Sequence, residues 1–497
     1  MMSITVTVDG GQISGTHAGG VSAFLGVPYA AAPVGEQAFA APGPVTAWDG
    51  VREAVAEGPS CWQSPYPDPV GTWFGKVTAS ELGGESLNVN VWTPDPGAAK
   101  LPVMVWIHGG AFVRGANASP TYDGSAFARD GVVLVSINYR LGAYGWLPVD
   151  GAPTNLGMRD QIAALRWVQD NIAAFGGDPG NVTIFGESAG GMSVAGLLAS
   201  PGARGLFNKA IVQSGHGVSV VQPDDARRVT AELAELLGVD PTAQALSQVD
   251  PAKLIEAQTA IDNAIRLAPD PDRWGATTIS AGGGITGYLP TFDELVPDFP
   301  QVAIGAGAGG DVPLLLGTTA REFTLFSLAA GTRGLITAEA LPLVAARFGA
   351  GPDVVAAYVA NHPDAAAADV FDLIASDAFF RKPALDFAAG HEAAGGPTHV
   401  YEFAWESEVS GLGSCHALEL SFVFDALRDT SSFTGPNPPQ QVADDMHAAW
   451  VAFATTGGPG WASYGGGEAV HVFNAPQSQT TGLPRADDIA AWGSPAE

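Results

Sequence analysis

Short apolar runs bounded by turn residues recur along this chain and alternate with longer amphipathic segments. A continuous apolar run of this kind is typical of a strand that is covered on both faces of a sheet. The runs predict strands at Leu101–Ile107, Val132–Asn138, Val182–Phe185, Ala210–Gln213, Pro313–Leu316 and Thr398–Phe403.

Two segments between these strands have helical character. Over Met158–Ala174 the apolar residues fall at helical spacing on one face, and Gly176 and Gly177 end the segment. The apolar stripe consists of Met158, Ile162, Leu165, Val168 and Ile172. A second helix is predicted from Ala189 to about Ala199. Because strands alternate with helices, the pattern predicts an α/β fold with a mostly parallel sheet.

The stretch Val182–Ser193, VTIFGESAGGMS, places Ser188 between a predicted strand and a predicted helix. Gly186 and Gly190 complete the pattern G-x-S-x-G, in which a serine on a sharp strand-to-helix turn acts as a nucleophile. Bulky residues at the two glycine positions would collide with the adjacent strand and helix. The helix N-terminus directs free N–H groups towards the serine. The alternative is one more small residue in a chain with 64 glycines, but both flanking elements favour the motif.

A second loop with a recognisable pattern follows the strand Leu101–Ile107. It reads HGGAF over His108–Phe112 and resembles the HGGG-type loop that supplies N–H donors to an oxyanion hole. Gly109 and Gly110 permit backbone conformations that expose N–H groups, and their lack of side chains lets a substrate approach. The alternative is an ordinary strand-ending turn. Two independent motifs at the ends of predicted strands favour an acyl-transfer site.

A serine nucleophile also needs a general base and an orienting acid, in the chain order Ser, then Asp or Glu, then His. Glu322 follows the predicted strand Pro313–Leu316, although a surface carboxylate is the plain alternative among 51 acidic residues. His416 lies in a loop after the strand Thr398–Phe403, where α/β sheets gather ligands. His216 also follows a strand, and the pattern alone leaves it as a second candidate. The remaining downstream histidines fit packing, helical or loop positions: His362, His391, His399, His447 and His471.

Composition narrows the possible partners. The net charge of the 497 residues is −29, and the basic residues form no cluster, so binding to nucleic acid or to anionic lipid is not expected. No apolar run approaches the roughly 18 residues of a membrane span. The amino-terminal sequence lacks the features of a signal peptide. Cys61 and Cys415 cannot form a disulfide framework or a cysteine-type zinc site, which favours a reducing, cytoplasmic location.

A glycine-rich stretch raises a rival interpretation. Gly305–Gly310, GAGAGG, satisfies the dinucleotide-binding pattern G-x-G-x-x-G. It precedes a predicted strand and opens no helix, which is the reverse of the context that the pattern requires. A dinucleotide enzyme is therefore not expected.

Further motifs extend in order over nearly the whole chain and carry a family resemblance. They are FLGVPYAAAPVG (Phe24–Gly35), ESLNVNVWTP (Glu85–Pro94), NLGMRDQIAALRWVQDNIAAFGGDPGNVTIFGESAGG (Asn155–Gly191), GTTAREF (317–323), CHALELSFVF (415–424) and WVAFATTGGPGW (Trp450–Trp461). With these motifs the chain resembles the type B carboxylesterases, the α/β-hydrolase family that includes cholinesterases and bacterial p-nitrobenzyl esterases. The resemblance implies one catalytic α/β-hydrolase domain over residues 1–497. Its central sheet carries helices on both faces, and cap-like helical insertions lie over the active site, roughly at 220–310 and 325–395.

The resemblance also implies roles for single residues. By position, Ser188 matches the nucleophile, Glu322 the triad acid and His416 the general base. Three residues match the N–H donors of the oxyanion hole: Gly110, Ala111 and Ala189. Glu187 and Glu419 match buried structural acids, and Ser193 matches a small polar residue behind the triad. A serine carboxylesterase of this kind needs no metal or cofactor.

The chain departs from the family pattern at several positions. The second signature usually reads E-D-C-L-x-L-N and here reads Glu85-Ser86-Leu87, so the cysteine that pairs with the Cys61 position is lost or shifted away. Arg321 and Phe323 flank Glu322 where Asp and Gly are common, which would change the surroundings of the acid and narrow the pocket. Ala38 stands where Arg is usual, which implies a missing ion pair.

The expected substrates are small apolar or aromatic esters. Phe112 and Phe323 each adjoin a catalytic part and are therefore predicted to line the pocket. Four more aromatic residues lie near the mouth of the site by resemblance, or alternatively pack on the protein itself: Trp62, Tyr66, Trp73 and Phe74. An amidase or carbamate hydrolase with the same triad is the first alternative. A non-catalytic binding protein of the same fold is less favoured, because this chain keeps every catalytic part. Monomer and dimer both stay open.

Overall fold

The apolar runs predicted as strands join a single sheet. The computed structural model describes residues 2–493. In this range the strands are β1 Met2–Val8, β2 Gly11–Ala18, β3 Val21–Pro28, β4 Val51–Glu53, β5 Asn88–Thr93, β6 Leu101–Ile107, β7 Val133–Ile137, β8 Gly177–Glu187, β9 Lys209–Gln213, β10 Leu314–Thr319, β11 Thr398–Phe403, β12 Val470–Phe473 and β13 Gln479–Thr481. Their order is β1-β2-β3-β5-β7-β6-β8-β9-β10-β11-β12-β13, and β4 pairs with β2.

The centre of the sheet is parallel, as the alternation of strands and helices predicts. All neighbours from β7 to β12 run parallel, while β1, β2, β3 and β5 add antiparallel strands at one edge and β13 at the other. Two predicted strands, β6 and β11, have the expected bounds. The predicted Val182–Phe185 is only the central part of β8, whose polar first half the apolar pattern did not detect.

Helices connect the strands and cover both faces. They are α1 Val70–Phe74, α2 Ser125–Arg129, α3 Gly142–Trp146, α4 Leu156–Asn171, α5 Ala189–Ala199, α6 Pro223–Leu237, α7 Ala243–Leu246, α8 Pro251–Leu267, α9 Pro271–Trp274, α10 Ala276–Gly282, α11 Pro300–Gly305, α12 Thr324–Ala329, α13 Leu341–Ala345, α14 Pro352–Asn361, α15 Ala367–Ser376, α16 Lys382–Ala393, α17 Leu420–Val423, α18 Ser431–Thr434, α19 Gln440–Thr456 and α20 Ala486–Ala490. Helices α6–α11 lie between β9 and β10, and α12–α16 lie between β10 and β11.

Successive residues of a strand face opposite sides of the sheet, and each side has its own hydrophobic core. In β6, Val103, Val105 and Ile107 belong to the first core, whereas Met104 and Trp106 belong to the second. The first core includes residues of α4 and α5, and the second includes residues of α17 and α19. Both faces of the sheet are therefore covered, which explains why its strands are continuously apolar. Among residues 2–493, no single helix is both long and apolar enough to cross a membrane, and one pair, α13 with its extension to Phe348 and α14, reaches that length only across a 113° bend.

A buried ion pair joins the chain after β7 to helix α4. The Arg140 guanidinium donates to both carboxylate oxygens of Asp160, at 2.8 and 2.7 Å, and also donates to the carbonyl oxygens of Ala38 and Ala40. Arg140 is 3% exposed and Asp160 is fully buried. The pair therefore ties α4 to the chain just after β7. Helix α4 also packs against α5.

We expect Asp160→Asn to lower the free energy of unfolding by about 3–5 kcal/mol, because it leaves a buried guanidinium without its counter-charge. Asp224 forms an exposed pair with Arg227, so Asp224→Asn should change stability by no more than about 1 kcal/mol. Urea unfolding of the two variants beside the wild type measures the difference. Equal effects of the two substitutions would contradict a structural role for the buried pair.

Candidate active site

Ser188 occupies the turn between β8 and α5. Its backbone has φ 56° and ψ −124°, a combination that is strained for any residue with a side chain. The Ser188 N–H donates to the Gln213 carbonyl oxygen at 2.9 Å, and the Ser188 carbonyl oxygen accepts from the Met192 N–H at 2.8 Å. These bonds to β9 and to the first turn of α5 hold the strained residue in place. The turn is thus the sharp elbow that the sequence predicts.

The glycines on either side of Ser188 are required by close backbone contacts. A Cβ on Gly190 would lie 2.0 Å from the Ile107 carbonyl oxygen, and one on Gly186 would lie 2.6 Å from the same atom. Both distances are far inside van der Waals contact. The elbow therefore fits against the end of β6 only because these two positions have no side chain.

The HGGAF loop runs beside the elbow. A Cβ on Gly109 would lie 3.1 Å from the Ser188 Cβ. Gly110, Ala111 and Phe112 all have positive φ, at 114°, 55° and 61°. Among the hydrogen bonds of residues 2–493, none uses the N–H group of Gly110, Ala111 or Ala189. The three predicted oxyanion donors are thus unpaired near Ser188.

Glu322 lies three residues beyond the end of β10 and is fully buried. Its Oε1 accepts hydrogen bonds from the Thr319 N–H at 2.8 Å and from the Ser214 hydroxyl at 2.6 Å. Its Oε2 faces His416 Nδ1 at 2.5 Å. Two fixed donors therefore orient the carboxylate so that one oxygen is free for the imidazole.

His416 lies between two carboxylates. Nδ1 donates to Glu322 Oε2, and Nε2 is 3.0 Å from Glu187 Oε1. Burial disfavours the charged ring, but the carboxylates of Glu187 and Glu322 outweigh that effect and hold the pKa of His416 well above its ordinary value. Phe326 and Phe380 flank the ring, with centroids 5.2 and 4.7 Å from the imidazole centroid.

The structure brings Glu322 and His416 into direct contact, although 94 residues separate them in the chain. The hydrogen bonds of residues 2–493 do not include one between the Ser188 hydroxyl and His416, because Nε2 faces Glu187. Glu187 immediately precedes Ser188 in the chain. The imidazole therefore lies at the nucleophile elbow, and its Nε2 atom faces Glu187, the residue before Ser188.

Two further acids are buried around the site. Burial raises the pKa of Glu187, an effect that His416 opposes. Burial likewise raises the pKa of Glu419 well above its ordinary value. Glu419 Oε1 accepts from Gln213 Nε2 at 3.2 Å, and Gln213 Oε1 accepts from Trp450 Nε1 at 3.0 Å. Glu419 is thus part of a polar network with Gln213 and Trp450, whereas Glu187 faces His416.

The sequence over residues 2–481 matches the model of the Carboxylesterase family. The chain belongs to this family. The para-nitrobenzyl esterase of Bacillus subtilis (strain 168) is 35% identical over 472 residues, which cover 91% of this chain and 90% of that protein. Phenmedipham hydrolase of Pseudarthrobacter oxydans is 33% identical, over 90% of this chain and 89% of that protein. A solved carboxylesterase of Geobacillus stearothermophilus superposes with a TM-score of 0.84 at 36% identity, covering 98% of this chain and 99% of that one.

Membership in the carboxylesterase family confirms the α/β-hydrolase fold, and the protein is a carboxylic ester hydrolase. Its substrates are small esters.

In this carboxylesterase the second histidine candidate, His216, contacts no acidic side chain among residues 2–493. It is 1% exposed, packs edge-on against Phe379 at 5.4 Å, and burial lowers its pKa to about 4. The other downstream histidines bond elsewhere: His362 to Asp488, His391 to Thr398, His399 to the Ala462 carbonyl, His447 to the Val423 carbonyl and His471 to Thr480. Among the described histidines, only His416 contacts Glu322.

The prediction that Phe112 lines the pocket does not agree with its burial. The ring is 1% exposed and packs edge-on against Trp146, with centroids 4.7 Å apart. The ring instead belongs to the first hydrophobic core. Phe323 is 9% exposed and packs against Phe326, Phe348 and Phe371. Its ring belongs to a separate, smaller hydrophobic cluster. Phe323 is the residue that follows Glu322.

Several residues around the site were not identified from sequence. Ser214 follows β9 and has a φ of 46°. Like Ser188, it is a serine at the end of a strand, and this position could have identified it from the sequence. Phe326 lies one helical turn after Phe323. Phe380 lies in a π-helical segment, Asp377–Arg381, whose sequence gave no indication of its place beside His416.

The departures from the family pattern leave the contacts of Glu322 intact. Arg321 Nη2 donates to Asp369 Oδ1 at 2.6 Å, so its charge is paired away from the acid. Cys61 and Cys415 are both free and buried. Where the family usually has Arg, the Ala38 carbonyl oxygen accepts from Arg140.

Proposed function

We propose that ester hydrolysis proceeds through an acyl-enzyme on Ser188, with His416 as general base, Glu322 as its orienting acid, and the N–H groups of Gly110, Ala111 and Ala189 as the oxyanion hole. The observation that carries the proposal is the Glu322–His416 hydrogen bond at the nucleophile elbow. An anion behind Nδ1 keeps the ring proton there and leaves Nε2 free to accept one.

In the proposed mechanism the imidazole transfers protons, the serine attacks, and the N–H groups hold the negative charge. Nε2 of His416 leaves its contact with Glu187 and takes the Ser188 proton as the hydroxyl oxygen attacks the ester carbonyl. The negative charge on the carbonyl oxygen is held by the three unpaired N–H groups. The protonated Nε2 then gives its proton to the leaving alcohol, and water repeats the sequence on the acyl-enzyme.

Labelling with a fluorophosphonate probe, followed by peptide mapping, tests the nucleophile directly. We expect the probe to modify Ser188, and p-nitrophenyl acetate to be hydrolysed by unlabelled enzyme only. Modification of a different residue would overturn the assignment.

Small apolar or aromatic esters are the proposed substrates. Phe326 supports this preference, because its partly exposed ring lies 5.2 Å from the His416 imidazole and forms an apolar wall beside the reacting atoms. The net charge of −29 disfavours anionic esters. A panel of p-nitrophenyl esters with acyl chains of increasing length and with a benzoyl group tests the preference.

Carbamate hydrolysis is a second candidate activity. It is favoured by the 33% identity to a protein named phenmedipham hydrolase over nine-tenths of both chains. The same triad would serve, since a carbamate carbonyl is attacked in the same way as an ester carbonyl. Release of the aryl alcohol from a phenyl carbamate, measured beside phenyl acetate, distinguishes an esterase that also accepts carbamates from one that does not.

Glu187→Gln should shift the acidic limb of the kcat/KM profile to lower pH. His416 acts as a base only when neutral, so kcat/KM rises as the pH rises through the pKa of this residue. Glu187 is one of two carboxylates that hold this pKa above its ordinary value, and removing its charge lowers the pKa. Glu256→Gln, an exposed change on α8, should leave the limb in place. An unchanged limb, or one at higher pH, in Glu187→Gln would contradict the argument.

A further inference from the structure

Tyr66 lies in the segment before α1 with a half-buried ring that its neighbours hold in place. The ring packs edge-on against Phe74 at a centroid distance of 5.3 Å, and Phe74 packs in the same way against Phe433 at 5.1 Å. The Arg114 guanidinium carbon is 5.8 Å from the Tyr66 ring centroid. The direction in which the phenol hydroxyl points is therefore set by packing on more than one side.

The segment that carries Tyr66 is bonded to Arg114 and Gly115, just after the HGGAF loop. Gln63 Nε2 donates to the Gly115 carbonyl oxygen at 2.8 Å, and Gln63 Oε1 accepts from the Gly115 N–H at 2.8 Å. Arg114 Nη2 donates to the Ser64 hydroxyl at 3.0 Å. These bonds keep Tyr66 at a fixed distance from the predicted oxyanion hole.

The Tyr66 hydroxyl reaches the HGGAF loop. A Cβ on Gly110 would lie 2.9 Å from the hydroxyl oxygen, so a side chain at this position would occupy its place. The hydrogen bonds of residues 2–493 include none to this oxygen. Burial, together with nearby Glu187 and against the effect of Arg114, raises the pKa of the phenol to about 12. The hydroxyl thus keeps its proton and has a hydrogen bond to donate.

The Tyr66 hydroxyl is connected to the surroundings of His416 through the HGGAF loop and Glu187. Nε2 of His416 is the atom that protonates the leaving alcohol, and Glu187 Oε1 is 3.0 Å from it. A Cβ on Gly109 would lie 2.8 Å from the other oxygen of the same carboxylate. Gly110, with the Tyr66 hydroxyl beside it, is the next residue. The hydroxyl is therefore linked to the surroundings of Nε2 through Gly110, Gly109 and the Glu187 carboxylate.

We propose that Tyr66 is a further substrate-binding residue, whose hydroxyl donates a hydrogen bond to an oxygen atom in the alcohol part of the ester. The site then favours esters of oxygenated alcohols over hydrocarbon esters of the same shape. The hydroxyl has no hydrogen-bond partner among residues 2–493, so a hydrocarbon chain at this position would leave the donor without one. This proposal rests on the acyl-enzyme mechanism given above.

Two pairs of esters that differ by one oxygen in place of one CH2 test the proposal. The alcohol pair is 2-methoxyethyl acetate with butyl acetate, and the acyl pair is methyl methoxyacetate with methyl butanoate. We expect Tyr66→Phe to lower the kcat/KM ratio of the alcohol pair by about fivefold, the effect of one neutral hydrogen bond, and to leave the acyl ratio unchanged. Comparing each variant with wild type cancels the different intrinsic reactivities of the esters.

Three further variants complete the design. Tyr66→Leu lacks a donor and should show the same loss, whereas Tyr66→His keeps a ring N–H and should show a smaller one. Tyr144→Phe removes a phenol hydroxyl from α3, where the ring packs against Phe39 at 5.1 Å, and should leave both ratios at wild-type values.

Either an unchanged alcohol ratio in Tyr66→Phe or an equal fall in both ratios would overturn the proposal. Those outcomes leave the acyl-enzyme mechanism standing. Failure of the wild-type enzyme to hydrolyse any of the four esters, with Ser188 unlabelled by a fluorophosphonate, would instead overturn the mechanism on which the proposal rests.

Discussion

Ser188→Ala is expected to lower kcat by roughly 10⁴- to 10⁶-fold, because the substitution removes the hydroxyl of the proposed nucleophile. The remaining rate would come from the oxyanion donors and from substrate binding. Alanine fits the same turn, and the bonds that fix Ser188 use its backbone N–H and carbonyl oxygen. The fold should therefore persist. Steady-state hydrolysis of p-nitrophenyl acetate, with burst kinetics on the wild type, measures the loss.

Ser200→Ala is the matched control for this experiment. Ser200 is buried at the opposite end of α5, where its hydroxyl accepts from the Gly202 N–H. Its loss should cost about 1 kcal/mol of stability and leave kcat close to the wild-type value. A Ser188→Ala enzyme that retained a pre-steady-state burst would contradict the assignment of the nucleophile.

The local features of this site could be predicted because each depends on neighbouring residues. The elbow at Ser188 follows from a strand, a helix and two glycines within one stretch of chain, and the structure shows the close contacts that exclude side chains from Gly186 and Gly190. Strand β6 has the predicted bounds because it is apolar throughout, and β11 also has them although it includes His399 and Glu402. Helix α5 also begins and ends as predicted.

Contacts between distant segments could not be predicted in the same way. The contact of His416 with Glu187 depends on how the loop after β11 packs over the elbow, which no local pattern reports. Phe112 was expected at the pocket because it adjoins the HGGAF glycines, but its ring packs in the first core against Trp146. Phe380 approaches His416 through a π-helical segment whose extra residue per turn cannot be recognised from apolar spacing.

Glu322→Gln is expected to lower kcat by about 10⁴-fold, although glutamine has nearly the same shape. The Oε1 position accepts from both the Thr319 N–H and the Ser214 hydroxyl, so the amide oxygen must occupy it. The amide NH2 then faces His416 Nδ1, where Glu322 Oε2 normally accepts at 2.5 Å. A donor there forces the ring proton onto Nε2, and the base can no longer take the serine proton.

The pH dependence of Glu322→Gln separates this mechanism from a simple change in basicity. Loss of the carboxylate also lowers the pKa of His416, so a basicity effect alone would move the acidic limb of kcat to lower pH and preserve the plateau. A wrong tautomer instead lowers the plateau itself at every pH. Glu402→Gln breaks a buried contact with Arg485 at 3.0 Å and should reduce stability without lowering that plateau. A Glu322→Gln plateau equal to that of Glu402→Gln would exclude Glu322 as the orienting acid.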